Sequence, residues 1–323
     1  MPRRSLRAAR WGLRAIAAII ALGAVACGGA QEPPEPHGPL RIAAGSDRGV
    51  YSVYGGALAH LAGERLPGTA ASALATVGSV ENIQLVTSGR AEAGFALADV
   101  AADAVAGRAP FDGRRRIRAL AWLYDNYVQL VVRDHGPVRD LAGLAGKRVS
   151  IGAPGSGTAI VGERILKIAG LWDRVSLRRL EIAPSAEALG AGEIDAFFWS
   201  GGLPSAAITD LRATMGVRLI DLGPVAADLT ERYGELYAET VVPASVYGLA
   251  GAVTSVSVPN YLIVRDDLPE ATGYWLTRIL FEEQPRLAEI HPEARRLDPG
   301  AAIMTYPLEL HPGAIRWYRS QHR

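Results

Sequence analysis

The 323-residue chain carries 34 basic and 33 acidic residues, 49% hydrophobic residues and one cysteine. That size and apolar content suit two packed lobes, the lone cysteine excludes an intrachain disulfide, and the even charge gives no basic footprint for nucleic acid.

Residues 1–26 carry Arg3, Arg4, Arg7, Arg10 and Arg14 and no acid, followed by an apolar run from Ala15 to Ala26. Twelve apolar residues are too few to span a bilayer, which needs about 20, but they fit an export signal. Without those five arginines, 29 basic residues face 33 acidic ones, so the mature chain is near −4. Cys27 follows Ala24-Val25-Ala26 and resembles the lipid-modified cysteine of a bacterial lipoprotein; cleavage that leaves a free secreted protein is the rival. Both readings export the chain, and a lipid at Cys27 would make the anchor its only membrane contact, since no later run is long and apolar enough to cross. Residues 27–39, with Pro33, Pro34, Pro36 and Pro39, read as an extended linker, and His37 as a solvated residue within it.

Folded structure is expected from Leu40. A strand over 40–44 meets the loop Gly45-Ser46-Asp47-Arg48-Gly49 and a helix over 53–65. A strand over 71–76 meets Val77-Gly78-Ser79 and a helix through Gln84 to Ser88; a short strand over 93–97 follows. Arg114-Arg115-Arg116 lies among turn residues and reads as a solvated loop before a strand over 117–123. The apolar run 127–133 leaves this lobe.

The sharpest pattern is Lys147 to Gly170. A β-rich run stops at Gly152-Ala153-Pro154-Gly155-Ser156-Gly157-Thr158, then Ile160, Ile165, Leu166 and Ile168 recur at helical spacing. Ser156 or Thr158 can cap the helix, and the glycines leave backbone N–H groups open to something small and anionic at its positive end; a cap without ligand is the alternative. Thr158 and Ala159 stand where a P-loop needs Lys and Ser/Thr, and Pro154 and Thr158 stand where a nucleophile elbow needs glycines, so neither chemistry fits. Strands over 175–181, 194–199 and 219–222, helices over 185–190 and 205–215, a long strand over 254–264 and helical patterns over 269–290 and 312–318 complete the chain.

Strand and helix alternation predicts an α/β fold with parallel, doubly wound sheets and ligands beyond the carboxyl ends of the strands. Two extended crossings, near 124–132 and 250–260, divide the chain into lobe 1 (40–128 and 255–323) and lobe 2 (129–254), hinged around a cleft.

The order Gly45-Ser46 with Gly49-Val50-Tyr51, then Gly78-Ser79-Val80-Glu81-Asn82, Ala98-Asp99-Val100, Gly155-Ser156-Gly157-Thr158 and Gly201-Gly202-x-Pro204 resembles the TAXI family, the solute receptors of TRAP (tripartite ATP-independent periplasmic) transporters. The similarity runs from about Leu40 to Trp317. It implies a two-lobed periplasmic-binding-protein fold, type II-like, that captures a small organic acid, an amino acid or a dicarboxylate such as glutamate, for a TRAP-type permease. By position it implies contacts from Ser46, Tyr51, Ser79 and Asn82 on one lobe and from Ser156, Gly157 and Thr158 on the other, with Trp199, Gly201 and Gly202 closing the cleft. The family commonly has a basic residue where Ala159 stands, a glutamine where this chain has Leu97 and Ala98, and an acid near Asn126, which is kept as a further candidate ligand contact. Arg48 is therefore a candidate replacement cation, against the alternative of a surface arginine paired with Asp47.

No metal or cofactor is expected. His60, His135, His291, His311 and His322 are scattered without metal-ligand spacing, and Asp195 has no partner base in sight, so no catalytic set assembles. A sensor module that signals to a membrane kinase is the other reading.

Overall fold

The computed structural model describes residues 32–321, so the leader, Cys27 and His322 lie outside the described residues. Among the described residues, 35–321 form one compact unit. Its elements in chain order begin with β1 (Gly38–Ala43), α1 (Val50–Arg65), β2 (Thr69–Leu74), α2 (Ser79–Thr87), β3 (Ala93–Leu97) and α3 (Ala98–Ala106). The long strand β4 (Ile117–Arg133) leads to β5 (Arg148–Ser150), α4 (Gly157–Ile168), β6 (Ser176–Arg178), α5 (Ile182–Ala191), β7 (Ala196–Gly201) and α6 (Ala206–Thr214). Then come β8 (Val217–Leu219), α7 (Gly223–Tyr233), β9 (Ala238–Val242), α8 (Ala244–Tyr247), β10 (Val253–Arg265), α9 (Glu270–Glu282), α10 (Gln284–Ile290) and α11 (Pro312–Gln321).

The strands join in the order β2-β1-β3-β10-β4-β7-β5-β6, with β8 added to β4 and β9 to β10. The two ends are parallel, as expected: β1 lies between β2 and β3, and β5 between β6 and β7. The middle is not. β10 runs antiparallel to both β3 and β4, and β4 antiparallel to β7. The reason is the two crossings: β4 carries the chain outward, pairing with β10 from Ile117 to Val128 and with β7 from Tyr127 to Val132, and β10 brings it back the other way. A chain that leaves a lobe and returns must present opposed strand directions at the junction.

Both crossings are buried along nearly their whole length, polar residues such as Asn126, Gln129, Ser255 and Asn260 included. One core gathers α1, α9 and α11 over β1, around Leu58, Leu61, Leu276 and Trp317; another gathers α5 and α6 over β7, around Leu189, Phe197 and Ile208.

Three local departures have plain causes. Structure starts at Gly38, two residues before the expected strand, because β1 pairs with β2 from Gly38 opposite Thr69. The single helical pattern over 269–290 is two helices, broken where Pro285 lies in the first turn of the second and cannot donate to the turn before it. The Ala-rich segment Ala98–Ala106 is a helix that reading in chain order missed: most of its residues are buried, so it shows no polar face to betray a helical period.

Candidate functional site

Three loops with the same local logic converge. After β1, β2 and β5 the chain turns through Gly45–Gly49, Thr76–Gly78 and Ile151–Ser156 and enters α1, α2 and α4. Gly78 at φ +127° and Gly152 at φ +96° hold backbone that an L side chain adopts only under strain. At Gly152 a Cβ would also fall 2.8 Å from Thr158 Cβ. The loops, Trp199 to Gly201 at the carboxyl end of β7, and Tyr124 and Asn126 in the middle of β4 line one cleft of about 400 Å³.

Nine of the twelve residues expected to bind ligand line it: Ser46, Tyr51, Ser79, Asn126, Ser156, Gly157, Thr158, Trp199 and Gly201. Their hydroxyls are not all open to a ligand. Ser156 Oγ accepts from Ala159 N–H at 3.1 Å and donates to the Ala153 carbonyl at 2.7 Å, so it caps α4. Thr158 Oγ1 accepts from Ser200 N–H at 3.2 Å, and Ser79 Oγ from Leu97 N–H at 3.1 Å. The Tyr51 hydroxyl donates to Asn260 Oδ1, and its ring stacks on Phe95 at 5.2 Å. Trp199 Nε1 donates to Ser205 Oγ at 2.7 Å, which fixes the indole as a wall beside Gly49. The first backbone N–H groups of α4, at Gly157 and Thr158, have no carbonyl within the helix to meet them.

Three expected residues lie elsewhere. Arg48, in the left-handed region at φ +64°, turns its guanidinium outward to Asp210 of α6, and both side chains are about half exposed. Neither the replacement cation nor a pair with Asp47 is what forms. Asn82 is wholly buried behind the cleft: its Nδ2 donates to the carbonyls of Ala44 at 2.6 Å and Phe95 at 2.8 Å, and its Oδ1 accepts from Thr76 at 2.6 Å. It ties the ends of β1 and β3 to α2, with both amide hydrogens used and the side chain shut away from a solute. Gly202 packs on Glu293, where a Cβ would fall 2.7 Å from Glu293 Cγ; Glu293 Oε1 accepts from Leu203 N–H at 2.7 Å.

Sequence reasoning missed Tyr124, Ser200 and Leu97. Tyr124 had a usable signal, because residues two apart on a strand share a face and Asn126 had already been singled out. Tyr124 and Asn126 are 2% and 3% exposed, and the Tyr124 hydroxyl and Asn126 Oδ1 have no hydrogen-bond partner among the described residues. Burial pushes the Tyr51 and Tyr124 hydroxyls well above the ordinary tyrosine range, so both are neutral.

No Asp, Glu, Lys, Arg or His is among the described lining residues. The charges sit behind it. Arg164 of α4 donates to Asp99 at 2.9 Å and Asp103 at 2.5 Å of α3 and to the Tyr237 hydroxyl at 2.9 Å, a cluster that is almost wholly buried. Asp195 is gripped by Arg148 at 2.8 and 3.0 Å, which holds its carboxyl below the usual range and makes it a structural partner. Among the described residues no cluster of three or more His, Cys, Asp or Glu could hold a metal, and no helix is long and apolar enough to cross a membrane.

The NMT1-like family matches residues 42–321. The chain belongs to the NMT1-like family. This NMT1-like chain is also similar to the alkanesulfonate-binding protein SsuA from Xanthomonas axonopodis pv. citri bound to MOPS, at 18% identity, 89% coverage of this chain, 85% of that one and a TM-score of 0.51. It is similar to a solved periplasmic transporter at 16% identity, with 81% and 88% coverage and a TM-score of 0.52. At such identities the similarity carries the fold, and the fold is that of the two-lobed periplasmic binding proteins.

Proposed function

We propose that this protein is an extracytoplasmic solute-binding receptor, not an enzyme, that captures a small organic acid in the cleft and passes it to a TRAP-type permease. Lobe 1 is then 40–128 with 255–323, lobe 2 is 129–254, and Cys27 is the lipid anchor that keeps the exported receptor beside its membrane partner. The observation that carries the reading is the convergence of the starts of α1 and α4 on a cleft with buried, unpaired polar atoms, beside α2, whose Val80 and Glu81 N–H groups go to the Gly155 carbonyl. Helix N-termini favour anions through free N–H groups and the helix dipole, so a carboxylate is held without an arginine. Family membership and the two-lobed fold support the receptor reading, and the order of Gly/Ser motifs shared with TAXI receptors supports the permease type.

Thermal unfolding of the full chain against mono- and dicarboxylates, amino acids and neutral analogues tests it. A ligand at about a hundred times its Kd adds roughly 2.7 kcal/mol of apparent stability. A shift with one class of acid is expected; no shift with any small molecule refutes the receptor reading.

A further inference from the structure

We infer that the solute is a small hydroxy monocarboxylate, an acid whose second polar group is a neutral hydroxyl and not an ammonium. The inference rests on the receptor reading above and narrows it to one chemical class.

The cleft offers one kind of site for charge and a different kind for a neutral group. Charge belongs at the start of α4, where Gly157 and Thr158 present backbone N–H groups and Ser156 caps the turn without taking them up. The neutral group belongs at β4. Asn126 Nδ2 donates to the Ser200 carbonyl at 3.2 Å and lies 3.4 Å from Ser200 Oγ, and turning the amide over would set oxygen against that carbonyl, so Oδ1 is the buried amide atom left without a partner. An acceptor buried without a donor is destabilising until a ligand supplies one. The Tyr124 hydroxyl, two residues away on the same face of the strand, is equally unpaired and can donate or accept. A hydroxyl satisfies Asn126 as a donor and Tyr124 as either partner. An oxo group cannot donate to Asn126.

An ammonium could donate there, but its charge has nothing to meet. The described lining holds no carboxylate. Asp99 and Glu293, whose charges reach Tyr51 and Tyr124, lie outside it and are engaged, Asp99 by Arg164 and Tyr237, Glu293 by Leu203 N–H and Arg296. The helix N-termini add positive potential that opposes a cation. A second carboxylate is disfavoured for the mirror reason, since no lining cation answers it.

The test is titration calorimetry on the full chain with pairs that differ in one group: L-lactate against L-alanine and pyruvate, 2-hydroxyisovalerate against valine and 2-oxoisovalerate, 3-hydroxybutyrate against 3-aminobutyrate and succinate. In at least one set the hydroxy acid binds at least tenfold tighter than its amino and oxo or dicarboxylate counterparts. Asn126→Asp then weakens the hydroxy acid at least tenfold and moves the hydroxy-to-amino ratio toward the amino acid. That ratio is read within one folded variant, so loss of stability cannot mimic it. Equal or tighter binding of an amino, oxo or dicarboxylic acid overturns the inference and leaves the receptor reading standing. Binding confined to uncharged compounds overturns the inference and the acid-binding part of that reading together. Silence in these sets and in the wider panel overturns both in full.

Discussion

Gly157→Ala adds a single methyl group where the two sides of the cleft touch. The new Cβ would fall 2.4 Å from Leu97 Cδ1, 3.0 Å from Leu97 Cγ and 2.8 Å from Ser79 Oγ. Carbon atoms settle at roughly 3.5–4.0 Å, so α4 must withdraw from β3 and α2 by about an ångström. Overpacking of that kind costs about 1–3 kcal/mol. With the lobes hinged as proposed, the strain is relieved when the cleft opens, so it falls on closure around ligand more than on folding, and alanine is the better helix former. The backbone N–H that faces the cleft is kept, which separates closure from hydrogen bonding. At about 1.4 kcal/mol per tenfold change, the acid that binds the native chain should bind the variant about 5- to 150-fold more weakly. Titration calorimetry reads the affinity, and thermal unfolding without ligand reads the fold, which should change little. An affinity within twofold of the native value would refute the claim that closure brings Gly157 onto Leu97 and Ser79.

Other expectations follow from the same contacts. Arg164→Met leaves Asp99 buried without its cation, with Asp103 keeping only the largely exposed Arg108, and should cost about 3–5 kcal/mol in denaturant unfolding; a loss under 1 kcal/mol would mean the cluster is not held as described. Asn82→Ala strips the Ala44 and Phe95 carbonyls of their donor and should lose about 1–3 kcal/mol or more, with affinity per folded molecule preserved; a selective loss of binding would return Asn82 to the ligand site. Arg48→Ala breaks a half-exposed ion pair and should leave stability within about 1 kcal/mol and affinity within threefold, whereas abolished binding would restore it as the ligand's cation. His311 is buried, pairs with the Leu268 carbonyl at 2.9 Å and Gly313 N–H at 3.2 Å, and burial lowers its pKa, so the folded state favours the neutral ring. Its contribution is full above the ordinary histidine value of about 6.5 and is lost as pH falls toward the lowered folded value. The melting-temperature advantage of the native chain over His311→Asn should therefore narrow from pH 7.5 to pH 5, and a gap that widens would contradict the assignment.

The turn chemistry was the legible part of this fold. Glycine and serine clusters that stop an apolar run and start a helical period identified the loops at Gly45, Gly78 and Gly152 and placed them on one side of the sheet, because loops after parallel strands share an edge. The antiparallel centre was not legible. β4 and β10 are buried on both faces, so their pattern carries no information about which neighbours they pair with. At the site, position was read better than role. Ser156 and Asn82 are polar residues beside the right loops, but their hydrogen bonds go to Ala153, Ala159, Ala44 and Phe95, partners that only folding supplies. Arg48 went astray similarly: its counter-ion, Asp210, lies far along the chain and not at the adjacent Asp47.

The central claim is that an acid is held by the start of α4 in a cleft with no lining cation. A crystal structure of the full chain grown with the tightest acid of the panel tests it most directly. The carboxylate oxygens should lie about 3 Å from the Gly157 and Thr158 N–H groups, with the neutral end against Tyr124 and Asn126. A carboxylate seated on Arg48, or density for the acid outside this cleft, would contradict it.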